Sequence, residues 1–97
     1  MKIPEKGFYY HYKHDPNDPV NTYAYEVLGV GRHSEDGSLY VVYQPLYTSQ
    51  YHEQSDYSIR PLEMFMEDVT KDGKTFPRFQ KITDQSVIEQ LQEKRKE

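Results

Sequence analysis

Ser34-Glu35-Asp36-Gly37-Ser38-Leu39-Tyr40-Val41-Val42-Tyr43-Gln44 is the stretch that decides the fold. An Asp-Gly pair between two strand-like runs is a strong short-range hairpin signal, because both residues accept the positive φ angles of a tight turn. After the turn, Leu39, Val41 and Tyr43 alternate with Tyr40 and Val42. Such a strand is apolar on both faces and predicts an interior position, covered from each side. The other arm runs from about Thr22 to Arg32. Tyr23, Tyr25 and Val27 share one face there, and Ala24, Glu26, Leu28 and Val30 the other. Gly29 and Gly31 interrupt that alternation and predict a bulge or bend. One bulge reverses the face on which everything beyond it projects.

Working outward, Gly7 to Lys13 alternates Phe8, Tyr10 and Tyr12 with Tyr9, His11 and Lys13, the period of a strand. His14 to Pro19 holds two prolines among turn-formers and reads as a loop. Pro45 ends the third strand, and Tyr47 to Asp56 has no period and reads as a long loop. Tyr57 to Arg60 is a short strand. Pro61 to Phe65 is one helical turn with proline at a tolerated first position, and Met64, Phe65 and Met66 read as core. Met66 to Val69 and Thr75 to Ile82 flank a second turn, Lys71-Asp72-Gly73-Lys74. Asp84 is placed to cap a terminal helix with an apolar stripe of Val87, Ile88 and Leu91.

These elements predict a mainly β protein: a small SH3-like barrel or rolled antiparallel sheet of five to six short strands. One helical turn falls near 61–65, and a short C-terminal helix follows. An α+β roll, with the terminal helix covering one sheet face, is the alternative. The expected organisation is a single small β domain over 1–83 and a helix with a polar tail over 84–97.

Composition narrows the chemistry. Ninety-seven residues suffice for one domain, and Val, Ile, Leu and Phe together number only 20. The ten tyrosines compensate, each burying a ring while its hydroxyl finds a partner. A net charge of −4 works against nucleic acid or anionic membrane as partners of the whole molecule, although a local basic patch stays compatible with it. Without cysteine there is no disulfide, thiolate zinc site or cysteine nucleophile, which fits a reducing compartment. No signal peptide or membrane span is visible, so the expected location is the cytoplasm.

No catalytic or metal motif emerges. His11, His14, His33 and His52 lie on different elements, without metal-ligand spacing, and no cofactor is expected. Arg32-His33-Ser34-Glu35 is the densest polar run. Neighbouring strand residues point to opposite faces, so His33 and Ser34 make a poor catalytic pair and a better hairpin shoulder. Tyr47, in a polar loop, suits a contact role, whereas Tyr25 and Tyr43 suit the core. Arg60 and Arg78 stand beside apolar residues. Each can read a ligand oxyanion or close an internal ion pair with Glu63, Glu67 or Glu26.

Several blocks, taken in order, resemble one family: Gly7-x-Tyr9-x-His11-Tyr12-Lys13, Tyr25-Glu26-Val27-Leu28, Arg32-His33-Ser34-Glu35, Val42-Tyr43, Pro45-Leu46-Tyr47, Arg60-Pro61-x-x-Met64-Phe65 and Pro77-Arg78-Phe79. It is a family of short stand-alone bacterial domains of unknown function. The resemblance spans about residues 6 to 80 and implies no activity. Against it, the His14 to Thr22 loop is longer, and Tyr57 stands where tryptophan is expected.

The functional expectation is a non-enzymatic module that binds a nucleotide, nucleic acid or peptide. Its aromatic and cationic surface would draw on Tyr9, His11, Arg32, His33, Glu35, Tyr47 and Arg60. One alternative is an oligomerisation domain, a homodimer through an edge strand or the Val87-Ile88-Leu91 stripe. The other is a small hydrolase with His11 or His33 as general base and Glu35 orienting it.

Overall fold

A computed structural model describes residues 3–47 and 57–95. The decisive hairpin forms as its sequence requires. Strand β2 (Ala24–Arg32) pairs antiparallel with β3 (Leu39–Pro45). The turn closes with the His33 amide donating to the Ser38 carbonyl at 2.7 Å and the Gly37 amide to the His33 carbonyl at 2.9 Å. Gly37 supplies the left-handed conformation, φ +78°.

β1 (Gly7–His11) lies along the other side of β2, and β4 (Ser58–Pro61) along the other side of β3. β7 (Phe79–Lys81) adds to β1, giving a sheet of order β4-β3-β2-β1-β7. β3 is therefore interior, as its two apolar faces demand. A separate hairpin joins β5 (Asp68–Lys71) to β6 (Lys74–Pro77). Its turn places Asp72 at φ 54° and Gly73 at φ 76°, the paired positive angles of a two-residue hairpin loop.

The expected SH3-like barrel does not close. β4 and β7 are the two edges and do not pair among the described residues, which hold seven strands rather than five or six. The cause is a bend at Arg78 that divides the predicted Thr75 to Ile82 strand. The part before the bend folds back on β5, and the part after it pairs with β1. The late strands thus serve two different sheets.

A bulge shifts the β2–β3 register between Val27↔Tyr43 and Gly29↔Val42, leaving Leu28 as the extra residue. The bulge that Gly29 predicts falls at that point and reverses the face of the residues beyond it. Val30, opposite Val41, joins the face of Tyr25 and Val27 and not that of Ala24 and Glu26.

Each face of the sheet has its own core. On one lie Tyr9, Tyr25, Val27, Val41, Tyr43 and Phe79, capped by Leu62 and Phe65 of the single-turn helix α1 (Leu62–Phe65). One helical turn presents only its i and i+3 positions to a surface. Leu62 and Phe65 fill them, so Met64 and Met66, expected in the core, are 46% and 37% exposed. The opposite face carries Phe8, Ala24, Leu46 and Ile82, against which α2 (Gln85–Arg95) docks Leu91. Asp84 caps α2 as its position predicts, its Oδ1 accepting the Ser86 amide at 2.9 Å. Burying Leu91 stabilises the docked helix by about 2 kcal/mol, which a lone eleven-residue helix needs. Arg95 fastens its last turn to Glu26 of β2 at 2.6 Å. Val87 and Ile88 pack beside Leu91, so this stripe is covered within the chain. Among the described residues no helix is long and apolar enough to cross a membrane.

Candidate functional site

Phe79 is the hub of the first face. The β1–β7 register sets it opposite His11, and the β1–β2 register sets Tyr9 opposite Tyr25. Phe79 stacks on Phe65 with ring centroids 4.3 Å apart and planes 4° from parallel. His11 and Tyr25 meet it edge-on at 5.2 and 5.4 Å. From β4, Arg60 brings its guanidinium carbon to 5.4 Å from the same ring centroid.

Arg60 is half-buried, and its Nε donates to the Tyr43 hydroxyl at 3.3 Å. Among the described residues no carboxylate pairs with it. Arg78 differs. Its Nη2 contacts Glu67 Oε1 at 2.8 Å, and its amide donates to the Glu67 carbonyl at 3.0 Å. Of the two arginines that the sequence left open, Arg78 takes the internal ion pair and Arg60 does not.

From this hub a row of rings runs across the end of the sheet. Tyr47 lies 5.6 Å from Tyr23, Tyr23 lies 5.6 Å from His11, His11 lies 4.5 Å from Tyr12, and Tyr12 lies 5.8 Å from Phe76. All five are half-buried, so each keeps part of its surface open. Tyr47 and Tyr25 share a hydroxyl–hydroxyl hydrogen bond of 2.5 Å. Burial, and then this bond, raise the Tyr25 phenol above its ordinary range.

Tyr23 holds a left-handed backbone, φ 58°, which costs a non-glycine residue about 1 kcal/mol or more. The loop before it imposes that conformation. His14 Nδ1–H donates to the Thr22 carbonyl at 2.8 Å, the Tyr10 hydroxyl to the Val20 carbonyl at 2.5 Å, and Asn21 Nδ2 to the Leu46 carbonyl at 2.9 Å. The His11 amide then donates to the Tyr23 carbonyl at 3.0 Å.

His11 is neutral at physiological pH. Burial lowers its pKa to about 4, with the positive charges of Lys13, Arg60 and Arg78 acting in the same direction. Its Nδ1 accepts the Lys13 amide at 3.2 Å, which puts the proton of the neutral ring on Nε2 as an available donor.

The seven residues singled out from sequence divide three ways. His11, Tyr47 and Arg60 come together around Phe79 and Tyr25. Tyr9 is core: only 6% exposed, it donates its hydroxyl to the Glu5 carbonyl at 2.8 Å and packs edge-on against Phe65. Arg32, His33 and Glu35 sit at the far end of β2, roughly 20 Å from Tyr25 at about 3.3 Å per residue. They form the hairpin shoulder that the sequence suggested. Arg32 donates to the Gly37 carbonyl at 2.8 Å, and His33 Nδ1 accepts the Glu35 and Asp36 amides at 3.2 and 3.3 Å. Glu35 thus offers His33 its amide, whereas an orienting role requires its carboxylate.

Two grooves flank these groups. One, of about 510 Å³, runs beside His11 past Tyr12, Phe76 and Lys81. The other, of about 630 Å³, lies between Arg32 and Met66. Among the described residues no three histidine, aspartate or glutamate side chains gather as a metal would require. Sequence reading missed Tyr12, Tyr23, Phe76 and Phe79 as site residues. For Tyr23 the signal was present, as the residue where the strand alternation begins beside a proline-rich loop.

The molecule is thus an open antiparallel sheet with a helix on one face and an aromatic, cationic patch on the other. It belongs to the family described as protein of unknown function (DUF1653), whose model matches residues 7–81. A crystal structure of a protein of that family from Bordetella bronchiseptica is similar, with 31% identity and a TM-score of 0.63, covering 80% of this chain and 86% of the other. No curated protein matches the chain.

Proposed function

We propose that this protein is a non-enzymatic binding module, and that its ligand lies on the row of half-buried rings ending at Arg60. One observation carries this reading: a half-buried arginine, seated on an aromatic ring, has no carboxylate counterion among the described residues. Partly burying a cation away from every described carboxylate costs free energy, so the arrangement suits a partner from outside. The left-handed backbone at Tyr23 supports the reading, since strain of this kind clusters where a ring must be presented to a ligand. The expected ligand classes are a nucleotide, a nucleic-acid strand and a peptide.

The experiment is an amide-shift titration of isotope-labelled protein with nucleotides, short single-stranded oligonucleotides and peptides in turn. Shifts gathered at His11–Lys13, Tyr23–Tyr25 and Arg60 support the site. Shifts confined to Arg32–Glu35, or none with any probe, refute it.

A second reading rests on the edge strand β4. Tyr57 and Ile59, two residues apart, are 68% and 64% exposed beside a strand edge that pairs with no other strand among the described residues, the usual hazard of an open sheet. Self-association through that edge would appear as a mass that rises with concentration in light scattering and stays constant once Ile59 is replaced by lysine.

A further inference from the structure

We infer that the ligand is a small organic anion joined to a flat ring, its single oxyanion held by the Arg60 guanidinium and its ring lying on Tyr23 and His11. This rests on the binding-module reading and narrows it. The arginines supply the first argument. Arg78 is neutralised by Glu67, Arg95 by Glu26, and Arg32 is bonded to a backbone carbonyl. Arg60 alone of these four keeps its terminal Nη nitrogens unassigned among the described residues. Its Nε donates to the Tyr43 hydroxyl and its guanidinium carbon stands over the Phe79 ring, so the fork is pre-oriented. A planar, pre-oriented fork matches a carboxylate or phosphate in a bidentate manner.

The second argument is the sign of the local field. An aromatic enclosure can equally suit an ammonium group, and quaternary ammonium ligands are held that way. Here His11 already resists taking a proton, through burial and then through the charges of Lys13, Arg60 and Arg78. Whatever disfavours an imidazolium disfavours an ammonium ligand in the same place. His11 Nε2–H is a further donor, as an acceptor-bearing ligand requires. The third argument is number. One half-buried guanidinium, without a carboxylate among the described residues, serves one anionic group. A chain of net charge −4 opposes a polyanion that would lie across its wider surface.

The test uses the full-length protein, wild type and Arg60→Gln, with adenosine, adenosine 5′-monophosphate, indole-3-acetate, tryptamine and a single-stranded oligothymidylate. The expectation is that wild type binds one or both ring anions at least about tenfold more tightly than adenosine and tryptamine, a difference of about 1.4 kcal/mol. Arg60→Gln removes that preference. The stronger anion identifies the source as phosphate or carboxylate. Bound anion also raises the His11 pKa, because it offsets the charge of Arg60. Adenosine binding as tightly as both anions, or tryptamine binding more tightly, overturns the anion assignment while leaving the ring site standing. Oligothymidylate binding with a salt dependence that counts several phosphates overturns the single-anion assignment. If no probe moves the His11, Tyr23 or Arg60 amides, the binding-module reading itself fails. The wild-type ratio of anion to neutral ring decides the matter even if Arg60→Gln folds poorly.

Discussion

Arg60 and Phe79 meet with the guanidinium carbon 5.4 Å from the ring centroid, and that ring is held flat against Phe65. The orientation of a half-buried cation is thereby set by two core residues. Replacing Phe79 by leucine keeps an apolar side chain but removes the flat seat. Stability should fall by about 1–2 kcal/mol in urea unfolding, and the Arg60 Hε resonance should broaden as its side chain loses a fixed position. A sharp, unshifted Hε signal in this variant would show that Tyr43 alone positions the guanidinium.

The depressed basicity of His11 makes stability depend on pH with a definite sign. Its ordinary pKa is near 6.5, and in the folded chain it is about 4. Between these values the unfolded chain binds the proton and the folded chain does not. Stability is therefore full above pH 6.5 and declines as the pH falls towards 4. Because the ring is half-exposed, solvent screening reduces the effect, and about 1 kcal/mol is expected. Urea midpoints measured from pH 7 to 4 should slope less in His11→Gln than in wild type.

Gly73 tests backbone conformation in isolation. It sits at φ +76°, and a methyl group added there would meet no atom within 4 Å. Any loss in Gly73→Ala is then conformational and should be about 1 kcal/mol. Calorimetry or denaturant unfolding reads it directly, and Gly73→Asn should recover part of the loss because asparagine tolerates the left-handed region better.

Leu91 anchors α2, fully buried on the face opposite Arg60. Leu91→Ala should cost about 2–4 kcal/mol, and Asp84→Ala about 1 kcal/mol through loss of the helix cap. Helical circular dichroism should drop in the first variant well before the sheet signals of β2 and β3 disappear. Simultaneous loss of both would mean that the sheet cannot stand without the helix.

Turns and caps were legible in the sequence because each is written in adjacent residues. Gly37, Asp72-Gly73 and Asp84 act where their local chemistry predicts, whereas Pro61 stands one place earlier than expected, as the extended last residue of β4 just before α1. The barrel was not legible, because closure depends on which distant strand the Thr75 to Ile82 segment joins. A bend at Arg78 decides that, and no local rule places a bend there. The site followed the same division. Arg32, His33 and Glu35 attracted notice as near neighbours in the chain, yet their contacts are those of a turn. His11, Phe79 and Arg60 gather only through the β1–β7 pairing and the flanking of β3 by β4, which are properties of the sheet. Tyr9 and His11 occupy the same strand face, but Tyr9 lies under α1 while His11 lies beyond its reach.

The extra residue at Leu28 has a consequence for how substitutions along β2 will be tolerated. On the Tyr25 side of the bulge, odd-numbered positions face the aromatic core; beyond it, the even-numbered Val30 does so. A saturation scan of this strand should therefore show intolerance of polar residues changing parity at position 28. Removing Leu28 would not shorten a loop. It would take out the one residue without a cross-strand partner and leave Val27↔Tyr43, Gly29↔Val42 and Val30↔Val41 on their present faces, so such a deletion should cost far less than removing the paired Val27 or Val30, which exchanges inside for outside along one arm of the hairpin.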